Sequence, residues 1–358
     1  MCGTGGAEVT AACRSNYNVV REKGITVQSG KLGYHPNWHP TRVVKSADEV
    51  DVAFDYLAPA SEIVRPYLES HVQRSSGKLP LVVMIQNGVD IEEEMYRTLV
   101  ATDKPLACGI ASGLTWVGTT LLDNGTRIEH GNFERFEVGF YPLPRFVKPD
   151  AEAERLLDEF IEIITCGGST VVKSDDIEAL RWSKILWNTS WGGVCLLSRQ
   201  PVAEILRPEV MPYTCGVARS LMCEVMAVAR ANGIDESRLP MSRVDDVYNM
   251  TQSQSTALFV NPADPSCASR VPTTLLPDDF KPSILVDLER GRPTELEPIF
   301  CNIAARARRT GVPTPHLDTI IAAVKPYQAK LIASLGHKAT NEYHVNPRAN
   351  AVGGAPVI

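Results

Sequence analysis

The chain has 358 residues, 44% of them hydrophobic, and a formal net charge of −6. This length favours two domains, and an acidic balance without any basic block argues against nucleic acid or an anionic membrane as a partner. The sequence has no apolar run of the ~20 residues that a membrane span needs, and nothing at its start is typical of a signal peptide, which predicts a cytoplasmic protein. The nine cysteines form no CxxC pair, so we expect reduced thiols and no metal site.

Short strand and helix patterns alternate in the first half of the chain. Strands are predicted at 7–13, in the first part of 24–36 before a turn-rich loop, and at 51–57, where apolar residues alternate. A helix is predicted to begin at Ser61 and Glu62. The continuous apolar run of 80–88, which ends in a turn, is typical of a strand buried on both faces of a parallel sheet.

The next segment combines strands with one long helix. Residues 105–141 are predicted to be strands joined by a hairpin at Asp123-Asn124-Gly125, and His130 in that hairpin is expected to be structural. An amphipathic helix that ends at Gly167-Gly168 and one more strand follow. This alternation predicts a mainly parallel, doubly wound sheet.

The pattern changes near Asp175, where an all-helical second half begins. Its first helix is expected to be capped by Asp175 or Asp176. A loop rich in Pro, Ser and Thr interrupts these helices at 249–280. The helices are predicted at 175–197, 209–233, 296–311 and 316–336.

Three stretches carry residue types suited to a dehydrogenase whose site lies between the two domains. Asn87 follows the buried strand, at the sheet edge where ligands bind in such folds. Lys184 and Asn188 are four residues apart and share one face of a predicted helix. Ser283 is followed, twelve residues later, by Glu295.

In their order and spacing these stretches resemble the ketopantoate reductase (2-dehydropantoate 2-reductase) family. The resemblance rests on Gln86-Asn87-Gly88, on Trp182-Ser183-Lys184 with Asn188, and on Lys281-Pro282-Ser283 with Thr294-Glu295, and it covers roughly residues 7–335. It implies an α/β plus all-α fold, with a truncated Rossmann-like parallel-sheet domain that binds the dinucleotide, followed by a helical domain for substrate binding and dimerisation. The domains are expected at 1–175 and 176–336, with a flexible tail at 337–358.

The resemblance also implies an activity, the NADPH-dependent reduction of 2-dehydropantoate to pantoate on the route to pantothenate and coenzyme A. The small-molecule partner is then a 2-oxo acid, and the helical domain allows a homodimer. Lys184 becomes the general acid, because its ammonium group stabilises the negative charge that grows on the carbonyl oxygen and donates the proton. The implied substrate-binding residues are Asn188, Ser283 and Asn87, and the implied cofactor-binding residues are Asn87, Glu295 and Arg14, the last through the 2′-phosphate of NADPH.

Each of these residues also has an ordinary structural interpretation. Lys184 could be a solvated surface lysine, although its apolar neighbours in the helix favour a seam between domains. Ser283 could cap a helix, and Glu295 could be a first-turn acid favoured by the helix dipole. Asn87 could serve a turn, and Asn188 and Arg14 could be plain surface residues.

The sequence departs from the family pattern in three places. In the family a strand, a G-x-G-x-x-G turn and a helix precede the strand that corresponds to 7–15, whereas six residues precede it here, so Gly3-Thr4-Gly5-Gly6 is not expected to work as a phosphate loop. The lysine that follows the equivalent of Phe54-Asp55-Tyr56 has no counterpart. Gly192 replaces a second asparagine of the lysine helix.

Two classes of function therefore stay open. The first is an NADPH-dependent reductase of 2-dehydropantoate or of another branched 2-oxo acid. The second is a catalytically inactive relative that acts as a binding or dimerising protein, and a shortened chain would give the same sequence features. We expect this chain to bind NADPH poorly or not at all.

Overall fold

A computed structural model of the chain describes residues 6–13, 16–58, 64–258 and 280–335. The chain divides into two compact units. The first, here called the sheet unit, lies within Met1–Gln86 and Glu92–Ile177, and the second, the helical unit, lies within Asn87–Ile91 and Glu178–Ile358. The five residues Asn87–Ile91 thus follow a strand of the sheet unit in sequence but belong to the helical unit, which was not predicted.

The described part of the sheet unit contains nine strands in two sheets. Seven of them form one sheet in the order β3-β2-β8-β7-β6-β5, with β9 also paired to β8, and β1 and β4 form a separate parallel pair. The strands are β1 (Thr10–Ala12), β2 (Ile25–Ser29), β3 (Gly33–Trp38), β4 (Arg42–Val44), β5 (Tyr56–Leu57), β6 (Leu81–Met84), β7 (Gly109–Leu122), β8 (Arg127–Tyr141) and β9 (Val171–Lys173).

Helices of the sheet unit alternate with these strands, as the sequence predicted. They are α1 (Tyr17–Lys23), α2 (Arg65–Arg74), α3 (Glu92–Leu99) and α4 (Ala151–Cys166). The Asp150 side chain caps α4 by accepting from the Glu152 N–H at 2.8 Å, and Gly167 ends it. The buried face of α4 packs with β6 and β8 in the core of this unit, through residues such as Leu81, Phe136 and Leu157.

The expectation of a mainly parallel sheet is confirmed, although the seven-stranded sheet also contains two antiparallel pairs, β2 with β3 and β7 with β8. Strands β5, β6 and β7 pair in parallel, but β7 and β8 pair antiparallel along most of their length. The hairpin predicted at Asp123-Asn124-Gly125 is confirmed and explains this pairing, because strands joined by so short a turn can only run antiparallel. The described strands also do not form the complete six-stranded parallel sheet of a full dinucleotide domain.

Three predicted boundaries in the sheet unit are also corrected. The turn-rich loop predicted within 24–36 contains β3, an exposed edge strand whose side chains show no hydrophobic alternation. Of 7–13 only β1 is a strand, and of 51–57 only β5, since Phe54 bonds to α2 instead, its N–H donating to His71 Nδ1 at 3.1 Å. The start of α2 predicted at Ser61 and Glu62 lies outside the described residues.

The prediction of helices after Asp175 is confirmed. The helices are α5 (Ile177–Ser198), α6 (Val202–Ile205), α7 (Met211–Ala231), α8 (Ser242–Leu258), α9 (Ser283–Glu289), α10 (Asn302–Thr310) and α11 (Pro315–Leu335), and the π-helical segment Glu297–Cys301 leads directly into α10. The loop predicted at 249–280 is wrong for residues 249–258, which form the second half of α8. Residues 259–279 of that loop and the predicted tail 337–358 lie outside the described residues. None of the described helices has both the length and the apolar composition that would let it cross a membrane.

Helix α5 runs through the centre of the helical core. Its residues Trp182, Leu186 and Trp191 are buried. A Cβ atom added to Gly193 would lie 2.7 Å from Ile320 Cδ1 and 3.3 Å from the Phe300 ring, so the helix approaches α11 and the π-helical segment too closely for a side chain. This close packing fixes α5, and with it Lys184 and Asn188, relative to the segment 294–310.

Candidate functional site

The carboxylate of Glu295 brings together two of the other predicted side chains. Asn87 Nδ2 donates to Glu295 Oε2 at 3.1 Å and lies 3.4 Å from Oε1. Ser283 Oγ donates to the same Oε2 at 3.2 Å. Asn87 and Glu295 are half-buried and Ser283 is exposed, so the polar cluster remains accessible to a ligand.

Local structure explains why Ser283 points to this carboxylate. Ser283 is the first residue of α9, and the N-cap position is occupied by Pro282, whose ring fixes φ near the helical value. No side chain caps this helix. The helix-cap interpretation of Ser283 is therefore wrong, because its hydroxyl bonds to Glu295.

Glu295 stands directly before the helical segment that leads into α10. Its carbonyl accepts from the Ile299 N–H at 3.2 Å, so its backbone takes part in the first turn, while its carboxylate is turned towards Asn87 and Ser283. The preceding residue is clamped by Gln328 of α11: the Thr294 N–H donates to Gln328 Oε1 at 2.8 Å, and Gln328 Nε2 donates to the Thr294 carbonyl at 2.9 Å. Gln328 is fully buried, so this pair of bonds holds the backbone that carries Glu295.

Asn87 lies just beyond β6, in the segment Asn87–Ile91. The backbone of this segment is bonded to the helical unit at three points. Arg181 Nη1 donates to the Gly88 carbonyl at 3.1 Å, the Val89 N–H donates to the Pro298 carbonyl at 3.0 Å, and Asn302 Nδ2 donates to the Val89 carbonyl at 2.8 Å.

Gly88 is required in this segment on two grounds. Its φ of +106° lies in a region that other residues rarely adopt, and an added Cβ would lie 2.4 Å from Pro298 Cβ. The glycine after Asn87 therefore serves the close approach of this backbone to Pro298.

Lys184 and Asn188 belong to a row of residues along one face of α5. Arg181, Lys184, Asn188 and Gly192 follow one another at spacings of three, four and four residues, which places them along the same face of a helix. At one end Arg181 bonds to Gly88, next to Asn87. At the other end a Cβ added to Gly192 would lie 3.9 Å from Pro282 Cβ, next to Ser283. The half-buried Lys184 and Asn188 thus lie on α5 between its contact with Gly88, next to Asn87, and its contact with Pro282, next to Ser283.

Asp287 adds a second carboxyl group beside this cluster. It lies one turn after Ser283 on α9, and it is half-buried. Burial, together with the negative charge of Glu295, raises the pKa of Asp287 to about 6, although Arg292 and Arg290 act against this rise. The cluster therefore gains negative charge as the pH rises through about 6.

Arg14 and most of the segment Gly3-Thr4-Gly5-Gly6 lie outside the described residues. His130 has structural partners, Ser29 Oγ at 2.8 Å from Nδ1 and the Phe133 carbonyl at 3.2 Å from Nε2. In the part of the chain that the structure describes, no three His, Cys, Asp or Glu side chains are grouped as metal ligands would be.

Sequence reasoning did not identify Asp287, Arg181 or Gln328 as neighbours of the site. The i, i+4 spacing of Ser283 and Asp287 could have indicated Asp287, because such residues share a helix face. Arg181 and Gln328 act through bonds to backbone that is distant in sequence, 93 and 34 residues away. No local sequence pattern predicts such bonds.

Comparison with known proteins identifies a family that the helical part of the chain matches. Residues 176–328 match the family model described as ketopantoate reductase PanE/ApbA, C terminal. An uncharacterised protein of Saccharomyces cerevisiae is 24% identical over 347 residues, 91% of this chain and 88% of that protein. The 2-dehydropantoate 2-reductase of a Nostoc species is 21% identical over 321 residues, 89% of this chain and 88% of that protein.

Solved structures of similar proteins agree with this result. The 2-dehydropantoate 2-reductase of Methylococcus capsulatus is 26% identical with a TM-score of 0.62, over 90% of this chain and 90% of that chain. A D-mandelate dehydrogenase in complex with NADH and anilino(oxo)acetate shares the fold, at 18% identity and a TM-score of 0.65, over 91% of this chain and 93% of that chain. The relatives named here with a stated activity are thus oxidoreductases, and the resemblance to the ketopantoate reductase family predicted from the sequence is confirmed over the helical residues 176–328.

Proposed function

We propose that this protein reduces 2-dehydropantoate, or another 2-oxo acid with a branched carbon next to the carbonyl, with NADPH as hydride donor. One observation carries the proposal. Side chains from two distant segments, Asn87 and Ser283, meet at the Glu295 carboxylate, and α5 carries Lys184 and Asn188 on the face that runs between the neighbours of those two residues.

The residue types of this cluster suit the reduction of a ketone. When a hydride reaches the carbonyl carbon, negative charge develops on the oxygen, and the Lys184 ammonium group stabilises this charge and donates the proton at Nζ. Asn188, one turn further along α5, can hydrogen-bond the substrate carbonyl or a hydroxyl group. The Ser283 hydroxyl is exposed at the start of α9 and can donate to the substrate carboxylate. A nicotinamide cofactor, when bound, supplies the hydride.

The described residues suit the nicotinamide ribose of such a cofactor better than its pyrophosphate. Asn87 and Glu295 offer an amide and a carboxylate suited to the hydroxyls of the nicotinamide ribose. The pyrophosphate normally lies at a glycine-rich turn between a parallel strand and the N-terminus of a helix. Of the strand-to-helix connections in the described part of the chain, the one after β6 contains a glycine, and that residue, Gly88, packs against Pro298.

The test is an assay of NADPH oxidation, followed at 340 nm, with 2-dehydropantoate and with other branched and aromatic 2-oxo acids. Because we expect weak NADPH binding, the assay extends to millimolar NADPH. The expected result is oxidation that depends on the 2-oxo acid and yields an equal amount of the 2-hydroxy acid. Absence of such turnover at every NADPH concentration would contradict the proposal and favour the second candidate, an inactive relative, which the poor fit of the pyrophosphate supports.

The homodimer and the cytoplasmic location stay predictions. Light scattering coupled to size-exclusion chromatography measures the mass of the particle in solution. A mass of twice 39.2 kDa is expected for a dimer.

A further inference from the structure

We propose that Arg306 is a positioning residue of this site. It forms an ion pair with Asp90 on one side and contacts the Trp182 ring on the other, and in this way it holds Asn87 next to Glu295. Neither Arg306 nor Asp90 belongs to the set of residues predicted from the sequence. The kinetic part of the argument rests on the proposed function, whereas the structural part does not.

Arg306 lies on α10 and forms a two-point ion pair with Asp90. Its Nε donates to Asp90 Oδ2 at 2.8 Å, and its Nη2 donates to Asp90 Oδ1. Both side chains are mostly buried, with exposed fractions of 20% and 23%. A paired guanidinium–carboxylate geometry of this kind fixes orientation as well as distance, so the ion pair sets the position of the Asp90 backbone.

The backbone conformation of Asp90 indicates that this residue needs the ion pair. Asp90 has a φ of +63°, a left-handed conformation that costs a non-glycine residue free energy unless its surroundings impose it. The ion pair to Arg306 lies on this residue, three positions after Asn87. We infer that the Asp90–Arg306 pair keeps the turn closed at the end of the segment that carries Asn87.

The other side of Arg306 lies on the helix that carries the lysine. Its guanidinium carbon is 5.7 Å from the centre of the Trp182 ring, a cation–π contact. Trp182 is 1% exposed and stands two residues before Lys184 on α5, so it gives the arginine a rigid support. One arginine therefore contacts both the Asn87–Ile91 segment and the helix of Lys184.

Loss of the contacts of Arg306 with Asp90 and Trp182 is expected to have a moderate effect on the position of Asn87. Gly88 and Val89 keep their own bonds to Arg181, Pro298 and Asn302, so the segment stays attached. Asn87 would lose its fixed position relative to Glu295. Misplacement of a positioning group by about 1 Å can lower a rate by about 100-fold.

Arg306→Lys is the test variant, because lysine keeps the charge but cannot make the paired hydrogen bonds. Arg308→Lys is the matched control on the same helix, since Arg308 forms an exposed pair with Asp318 at 3.3 Å. We expect Arg306→Lys to lower kcat/KM for the 2-oxo acid by about 10- to 100-fold and Arg308→Lys to leave it unchanged. In an Asn87→Ala background, Arg306→Lys should lower kcat/KM by less than about twofold, because the two residues act as one unit.

A second readout does not need activity. In ¹⁵N NMR spectra the side-chain amide signals of Asn87, identified by their loss in Asn87→Ala, should shift in Arg306→Lys and stay in place in Arg308→Lys. Unmoved amide signals in folded Arg306→Lys would overturn the proposal, and so would equal effects of Arg306→Lys with and without Asn87. If the wild-type chain has no reductase activity, the proposed function fails, while the amide signals still decide the role of Arg306.

Discussion

The two units use their polar side chains in different ways. In the helical unit, side chains from the Asn87–Ile91 segment, from α9 and from the start of the π-helical segment meet at one accessible carboxylate. In the sheet unit, Lys31 links Glu134 and Thr170 at 2.8 Å each, and Ser29 bonds to His130, which joins strands to one another. The accessible polar cluster around Glu295 thus lies within the helical unit, while these polar contacts of the sheet unit stabilise its fold.

The sheet unit is the part of the chain that is expected to bind a dinucleotide. Its strands β1 and β4 form a pair that is separate from the seven-stranded sheet. The glycine that follows β6 is fixed against Pro298 in the helical unit. We therefore expect the connection after β6 not to bind the phosphates of a dinucleotide.

The largest expected effect is that of Lys184→Ala. Removal of the ammonium group should lower kcat by about 10²- to 10⁴-fold with a smaller change in KM, because its contact to the carbonyl oxygen strengthens in the transition state. Lys330→Ala on α11 is the matched control, since Lys330 is an exposed helix lysine. Equal kcat values for the two variants would show that Lys184 has no part in the chemistry.

A smaller effect is expected from Glu295→Gln, which keeps the shape of the side chain and removes its charge. The hydrogen bonds from Asn87 and Ser283 then lose a charged acceptor, and each such bond contributes about 1.5–3 kcal/mol. We expect kcat/KM to fall by about 10- to 100-fold in the same assay. Glu289→Gln is the control, because Glu289 pairs with Lys281 at the surface, where ion pairs contribute little. A Glu295→Gln enzyme as active as this control would remove Glu295 from the site.

The smallest effect concerns stability and pH. Because the pKa of Asp287 is raised to about 6 in the folded protein, the folded state binds more protons than the unfolded state between about pH 4 and 6, and the free energy of unfolding falls as the pH rises through this range. Asp287→Asn removes this loss. Its Tm should exceed that of the wild type by about 2–4 °C at pH 7.5, which corresponds to about 1 kcal/mol for a half-buried group screened by solvent.

The pH dependence separates this effect from a general change in packing. The difference in Tm between Asp287→Asn and the wild type should be much smaller near pH 4, where the carboxyl is protonated in the folded state and about half protonated in the unfolded state. Asp246→Asn, at an exposed position of α8, should show no such dependence. A Tm difference that is the same at pH 4 and 7.5 would mean that burial of charge is not its cause.

Local patterns were enough to predict much of the helical unit. The four-residue spacing of Lys184 and Asn188 and the apolar residues around them in the sequence predict α5 directly. Ser283 and Glu295 lie in one short stretch of sequence, so their proximity could also be expected. The mixed sheet was harder, because β3 is an exposed edge strand whose residues do not alternate. The ion pair of Arg306 with Asp90 joins residues 216 positions apart, so it could not be predicted from a local sequence pattern.

The comparison between the two units is tested most directly by titrating the chain that begins at Met1 with NADPH and following the fluorescence of the nucleotide. Backbone N–H groups at a glycine-rich turn normally bind the pyrophosphate, and the sequence has no glycine between β1 and α1, between β5 and α2, or between β9 and α5. We predict a Kd above about 100 µM, which corresponds to a binding free energy weaker than about −5.5 kcal/mol. A Kd in the low micromolar range would contradict this account and would mean that another segment of the chain binds the phosphates.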